Sequence, residues 1–471
     1  MPIITNTSLN ATSVDILNAI RNNATANYKN YVPVAEPNAN SMRAIGAILM
    51  DYSAIRNEFL SALINRIGLV LIKSKMFNNP WKAFKRGELE FGETIEEIFV
   101  SISQAFEFSP EKAETNIFAR NIPDVRSAFH TLNYRKFYKQ TIQREQLKQA
   151  FMSLDGVTNL IAKIVEGMYS SASYDEFLMM KYLLVREILD GRLYPIELTV
   201  DEDATETEKV KQITAAVQEV STDFTFMKSK YNVAAVPNYS AQNDQIIIMT
   251  SKFNARMNVE VLAAAFNLSY TDFLAQRVLI DSFSDFDEER LNNLFKDADG
   301  NYFDGYTPLT DAQKTALETI DCVLVDKDYF MIFDNLVEFT ENFNGEGLYW
   351  NYWLHLWKTF SVSPFENAAV FTNAPVEVET MTITPYYAPG TSISVKAGTT
   401  LTFTATVRGE NSALAPKSVK WKILEGEDVA SVDIFGKVTI SSEATSGTDI
   451  VLRVESTYNP DVALIPMLTV E

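Results

Sequence analysis

Phe177, Leu178, Leu184, Val185 and Ile188 recur at helical spacing, which predicts a helix with one apolar face. Ser173-Tyr174-Asp175-Glu176 just ahead has the form of a capping box, with Ser173 as N-cap, and Gly191 suits the helix end. Upstream, residues 42–67 and 118–172 read as mostly helical, with a break around Gly156. Residues 246–249 and 278–280 read as short strands flanking a helix over 259–266, a βαβ-like unit. The acidic run 201–208 reads as a loop opening a helix to about Thr222. Residues 322–325 and 329–333 read as strands around a turn at Asp326-Lys327-Asp328.

Strand alternation over 347–360 puts Leu348, Trp350, Tyr352, Leu354 and Leu356 on one face. Tyr349, Asn351, Trp353, His355 and Trp357 take the other, and bulk on both faces predicts a strand buried on both sides. An aromatic ligand site is the lesser reading beside core or interface packing. After Pro375 aliphatic residues alternate with Thr, Lys and Ser, broken by turns such as Ala397-Gly398 and Gly436-Lys437. About seven short strands in about 95 residues, with Trp421 on a central one, is the pattern of a β-sandwich.

Two segments lack such periodicity. Residues 1–42 are rich in Asn, Thr and Ala and predict an extended arm with one short helix near 13–22. Such an arm would become ordered by lying on another surface. In the second segment, charge is sorted by sign: Lys73, Lys75, Lys82, Lys85 and Arg86, then Glu88, Glu90, Glu93, Glu96 and Glu97. Gly87 at the switch predicts a surface hairpin, which doubles as a loop offering complementary charge to neighbouring copies.

Composition narrows the chemistry. With 41 Lys+Arg against 61 Asp+Glu, the net charge of −20 excludes a general nucleic-acid binder. One cysteine, Cys322, excludes a disulfide framework, and two histidines, His130 and His355, exclude most His-rich metal sites. Phosphate-loop, nucleophile-elbow and zinc-protease motifs are absent from the sequence. His130 falls in a helical stretch and His355 in a strand, both read as packed or surface residues, and Cys322 as a small buried hydrophobe. Asp297-Ala-Asp299-Gly300-Asn301 has the opening of a calcium loop, but Tyr302 and Pro308 stand where such a loop needs Gly and Glu. It reads as a turn, with adventitious calcium the alternative. The first basic residues, Arg21 and Lys29, lie too deep for a secretory leader, and the sequons then read as chance. No cofactor, metal site or catalytic set is expected; surfaces carry the function.

Ordered blocks along the chain carry a resemblance. They include Arg66-Ile-Gly-Leu-Val70, Asn78-Asn-Pro-Trp-Lys-Ala-Phe-Lys-Arg-Gly87, Glu93-Thr-Ile-Glu-Glu-Ile98 and Val259-Glu-Val-Leu-Ala-Ala-Ala-Phe-Asn-Leu268. Val323-Leu-Val-Asp-Lys-Asp-Tyr-Phe-Met331, Gly347-Leu-Tyr-Trp-Asn-Tyr-Trp-Leu-His-Leu-Trp357 and Ser361-Val-Ser-Pro-Phe-Glu-Asn-Ala368 follow. Over residues 15–371 the chain resembles major capsid proteins of phi-twenty-nine-like short-tailed phages, and 375–471 resembles bacterial immunoglobulin-like domains of group two. The resemblance implies the α+β tailed-phage capsid fold plus an all-β sandwich. Its parts map to an N-terminal arm (1–42), peripheral-domain segments (43–72, 118–190 with a spine helix, 321–374), an extended β-loop (73–117) and an axial domain (191–320). The polar insertion 285–311 is longer than the family pattern and reads as exposed.

The implied function is a major capsid protein, not an enzyme, self-assembling into an icosahedral or prolate virion head in the bacterial cytoplasm. Implied partners are further copies in hexameric and pentameric capsomers, a scaffolding protein, a portal, and double-stranded DNA held without sequence specificity. Weak host-glycan contact by the sandwich is a further expectation. Lys82, Lys85, Arg86, Glu88, Glu90 and Glu93 are the candidates for contact between subunits. The alternative is a glycan-binding or glycan-acting protein with an immunoglobulin-like accessory domain.

Overall fold

The computed structural model describes residues 12–59, 79–89, 94–103, 125–152, 156–198, 204–257, 276–409 and 418–471, with 62, 105 and 108, apart from 298, 304, 377, 389 and 434. The expected helix over 259–266, residues 63–67 of the helix expected over 42–67, and Lys73, Lys75, Glu90 and Glu93 lie outside them.

The chain opens with helices α1 (Ser13–Asn23), α2 (Ala26–Tyr31) and α3 (Ala39–Asp51), then strands β1 (Lys85–Glu88), β2 (Ile95–Val100), β3 (Val125–His130) and β4 (Tyr134–Gln143). After α4 (Arg144–Ala150) comes the long helix α5 (Gly156–Leu189), then β5 (Tyr194–Glu197), α6 (Glu206–Phe224), β6 (Gln245–Thr250), α7 (Ser251–Arg256) and β7 (Gln276–Ile280). Helices α8 (Glu288–Leu294) and α9 (Asp311–Leu317) precede β8 (Ile320–Asp326), β9 (Phe330–Asn344), β10 (Tyr349–Val362) and β11 (Ala368–Thr372). The C-terminal stretch is all strand: β12 (Thr380–Thr384), β13 (Ser392–Val395), β14 (Thr400–Thr402), β15 (Thr404–Arg408) and β16 (Val419–Glu425). It ends with β17 (Ala430–Val432), β18 (Lys437–Ile440), β19 (Asp449–Ser456), β20 (Ala463–Leu464) and β21 (Met467–Val470).

Helix α5 is the axis of the fold. Its 34 residues run unbroken through Ser173, so that serine is no N-cap. The capping-box pattern is local, and the residues around it bury Met168, Ala172, Met180 and Leu184 in one continuous helix. Two sheets pack on it. A five-stranded sheet in the order β5-β11-β8-β6-β7 sends Ile246, Ile248, Val323 and Val325 toward α5. The alternate residues Ile247, Met249, Cys322 and Leu324 face the α6 residues Val210, Ile213 and Val217. Burial on both faces explains the unbroken apolar runs in β6 and β8.

The second sheet, β1-β9-β10-β4, has four strands. Trp350, Tyr352, Leu354 and Leu356 of β10 form its inner face, against which Leu17, Ile20, Met42, Ile45 and Leu49 of α1 and α3 pack. From residue 12 onward the N-terminal segment is therefore ordered on its own chain rather than extended. Its apolar residues sit at helical spacing on short capped helices, a pattern too brief to stand out among the asparagines. Gly46 meets Phe151 of the α4 end so closely that an added Cβ would lie 2.5 Å from the Phe151 Cβ. Gly46→Ala is expected to cost about 1–3 kcal/mol through overpacking, read as a lowered urea midpoint.

Residues 125–143 form strands and not the expected helix, so His130 ends a strand. In β4 the alternation of Tyr134, Tyr138 and Ile142 with Arg135, Lys139 and Gln143 has the period of a one-sided strand. The strands on either side of Asp326-Lys327-Asp328 belong to different sheets, so that turn carries the chain from one sheet to the other. There the Asp326 carbonyl accepts the Tyr329 N–H at 3.1 Å.

The C-terminal strands have a core of their own, built on Phe403, Trp421, Ile450, Leu452 and Leu468. Their sheets are β13-β21-β19-β16, β14-β18-β17 and the pair β12-β15. They meet the rest of the chain where Tyr458 packs against Tyr194 with ring centroids 5.6 Å apart.

Candidate assembly surfaces

The charge switch at Gly87 is not a hairpin. Lys85–Glu88 adds to the sheet edge parallel to β9, with Lys85 opposite Ile332 and Glu88 opposite Asp334. Gly87 has φ +131° at the irregularity in that pairing, a conformation open to glycine. Lys85 reaches Glu176 at 3.1 Å and Asp334 at 3.6 Å, and Arg86 pairs with Asp328 and donates to the Lys327 carbonyl. Both cations are thus engaged within the chain. Lys82 lies exposed on the 3-10 turn Pro80–Phe84, and Glu88 is exposed on β1.

Behind β1 lies a buried charge network. Glu176 of α5 accepts Asn79 Nδ2 at 2.8 Å on one oxygen and Lys358 Nζ at 2.5 Å on the other. Lys358 also pairs with Asp334. Burial works to lower the Lys358 pKa, and the Glu176 and Asp334 carboxylates outweigh it, so the net direction is up. The acids expected to cap a helix therefore tie α5 to β1, β9 and β10. Asp175 does the same for the insertion: it accepts Arg290 Nε at 2.5 Å and Tyr138 Oη at 2.7 Å.

The insertion 285–311 is consequently docked, not projecting as its polarity predicts. Phe286, Leu291, Phe295, Tyr306 and Leu309 pack into the α5 core. Lys181, at 1% exposure, donates to Asp281 at 2.7 Å and lies 4.6 Å from the Phe286 ring centroid. Burial pushes its ammonium down, with Asp281 opposing. In the Asp297 turn, the Asp297 carboxylate accepts the Asp299 and Asn301 N–H groups at 3.0 and 2.8 Å. Among the described residues no group of three or more His, Cys, Asp or Glu is placed to hold a metal ion.

Two faces stand open among the described residues. The first is the antiparallel pair β2–β3, whose register sets Ile95 opposite His130 and Val100 opposite Val125. One face turns to the body through Glu97, Phe99, Arg126 and His130. The other exposes Ile98 at 58%, Val100 at 54%, Val125 at 56% and Phe129 at 64%. Four large apolar side chains thus lie exposed on one side of a two-stranded sheet, which is marginal alone. Sequence reading misses it, since 95–100 falls in a charge run and 125–130 in a stretch read as helix. The alternation Ile98, Val100 is the available signal.

The second face is the outer side of β4–β10. Here the expectation of burial on both sides fails, because Trp353, His355 and Trp357 are only half-buried. Arg135 lies 5.3 Å from the Trp357 ring centroid, Lys139 lies 5.8 Å from that of Trp353, and Phe137 packs on His355 at 5.7 Å. Aromatic bulk on the strand is covered by cationic side chains of its neighbour rather than by a second layer.

A mixed α/β chain whose charged groups serve as struts, and whose apolar side chains lie open on a β-ribbon, is a structural subunit built to meet others. It matches the profile of the Phi29-like phage major capsid proteins over residues 17–372, and it belongs to that family. The major capsid protein of Bacillus phage B103 is 34% identical over 443 residues, covering 93% of this chain and 90% of the relative. That of Streptococcus phage Cp-1 is 27% identical over 365 residues, 75% of this chain and 93% of the relative. Among solved structures, the capsid of Staphylococcus phage Andhra aligns with a TM-score of 0.49 at 16% identity, over 64% of this chain and 86% of that one. The chain is a major capsid protein, a structural and not an enzymatic component, and its place is the virion capsid, where it self-assembles. The glycan-acting alternative finds no support. No helix among the described residues is long and apolar enough to cross a membrane.

Proposed function

We propose that the chain closes into an icosahedral or prolate head around double-stranded DNA, as hexameric and pentameric capsomers, with a scaffolding protein and a portal as assembly partners. The observation that carries this reading is the open apolar face of β2–β3. A specific interface needs on the order of 800 Å² per partner, and an exposed ribbon face supplies area by overlapping a neighbour. In this reading residues 73–117 serve as the extended loop, with the β2–β3 ribbon reaching to residue 130, α5 as the spine helix, and 191–320 as the axial domain. Lys82, Glu88, Glu90 and Glu93 are candidates to pair across subunits, and Lys85 and Arg86 act by fixing β1. A net charge of −20 suits a wall that contains DNA without gripping it.

Residues 375–471 are read as an immunoglobulin-like sandwich of the bacterial group-two kind. Its separate core supports this, as does the end of the family match at residue 372. Its proposed place is an accessory on the shell, making weak host-glycan contact or cementing neighbours. Electron microscopy of the full chain, co-expressed with scaffolding protein, and of a chain lacking 376–471 tests both readings. Closed shells are expected from each, with the truncated shells losing host adsorption or thermal stability. Failure of the full chain to form shells overturns the proposal.

A further inference from the structure

The C-terminal strands have a core of their own, and a unit of that kind ordinarily moves on its linker. Here the linker has no slack. Ala374 and Val376 are buried in the core around α5, and Val378 is buried in the C-terminal core. One residue therefore separates a side chain held by the first core from a side chain held by the second. Hydrogen bonds fix the strut at both ends. Asn373 donates its N–H to the Thr319 carbonyl at 3.0 Å and its side-chain amide to Asp321 at 2.6 Å. The Val376 N–H donates to the Glu197 carboxylate at 3.4 Å. Beyond it, the Val378 carbonyl accepts Asn459 Nδ2 at 3.3 Å, and the Glu379 N–H donates to the Arg408 carbonyl at 3.0 Å.

A second tie is remote in sequence. Tyr458, between β19 and β20, packs against both cores. On the body side its ring meets Tyr194 of β5, and Tyr194 is itself held in place. Tyr231 stands edge-on to it at 5.2 Å, and Lys230 Nζ lies 5.4 Å from its ring centroid. A single tie would leave the C-terminal unit free to swing, whereas two ties at separate points stop rotation as well as drift.

We infer that residues 374–378 and Tyr458 form a rigid bracket that holds the C-terminal unit at one angle to the body. A unit carried at one angle presents the same face to the same neighbour at every equivalent position of a symmetric shell. The partner it fits is thus a second copy of this chain, met in register. Reach toward a loosely placed ligand calls instead for a flexible tether. The bracket is a property of the single chain; its use as cement rests on the reading of 375–471 as a shell accessory.

The distance between two spin labels on the unassembled full chain reads the bracket directly. Cys322 is buried, so the labels go to cysteines introduced at exposed Gln218 of α6 and Lys422 of β16. One narrow distance distribution is expected. Tyr194→Ala, which leaves the C-terminal core untouched, should broaden it, and a Gly-Ser-Gly-Ser insertion between Val376 and Val378 should broaden it further. A broad distribution in the unaltered chain, or one that stays narrow in both variants, overturns the bracket. Shell formation does not enter this measurement, so its result is independent of the head proposal. Shells of the inserted chain should then melt below those of the unaltered chain, with equal midpoints for the free subunits. Equal shell midpoints overturn the cementing role.

Discussion

Glu176→Ala is expected to lower the unfolding free energy of the N-terminal body by about 3–5 kcal/mol, the cost of breaking a buried ion pair from one side. Glu176 holds Lys358 at 2.5 Å, Lys85 at 3.1 Å and Asn79 at 2.8 Å. Its loss leaves two ammonium groups sharing Asp334, with Lys358 only 5% exposed. Two lysines against two carboxylates is a neutral set, and removing one member leaves a net charge in a poorly hydrated place. Tryptophan fluorescence during urea unfolding reports this region, since the Trp81 backbone N–H donates to the same Asn79 at 3.0 Å. The double change Glu176→Leu with Lys358→Met should recover much of the loss, because an apolar pair needs no charge partner. A single variant within about 1 kcal/mol of the parent would show instead that water solvates the site.

What could be read from the sequence follows the range of the interactions. The alternation in β10 and the runs in β6 and β8 were legible because strand period and burial are local consequences of a pleated backbone. Which face of β10 stays open was not, since Trp353 and Trp357 are covered by Lys139 and Arg135 from a strand more than two hundred residues earlier. The capping-box reading of Ser173 failed for a similar reason. Asp175 and Glu176 look like helix-start acids in isolation, and only the distant Arg290 and Lys358 reveal them as buried struts. The insertion misled through composition: its polar residues suggest exposure, while Phe286, Phe295 and Tyr306, spaced without period, carry the docking. Family membership was legible because it rests on ordered blocks of residues and not on any one contact. The assembly face was the least visible, as exposed apolar residues on a strand look like core until their exposure is seen in three dimensions.

That face yields the largest expected effect on function. Ile98→Asp combined with Phe129→Asp is expected to abolish closed shells while leaving the subunit folded. Both side chains point away from the body, at 58% and 64% exposure, so the isolated chain loses little packing. At an interface each would contribute about 1.5–3 kcal/mol on burial, and a buried, unpaired carboxylate reverses the sign. The penalty recurs at every subunit, so avidity that closes a shell from weak contacts works against the variant. Electron microscopy should show free subunits or small oligomers, with circular dichroism and thermal midpoint unchanged. Ser127 lies on the same face, opposite Ile98, and Ser127→Asp should also impair assembly. Normal shells from the double variant would mean that copies meet through other surfaces, and the outer side of β4–β10 would take the place of the ribbon.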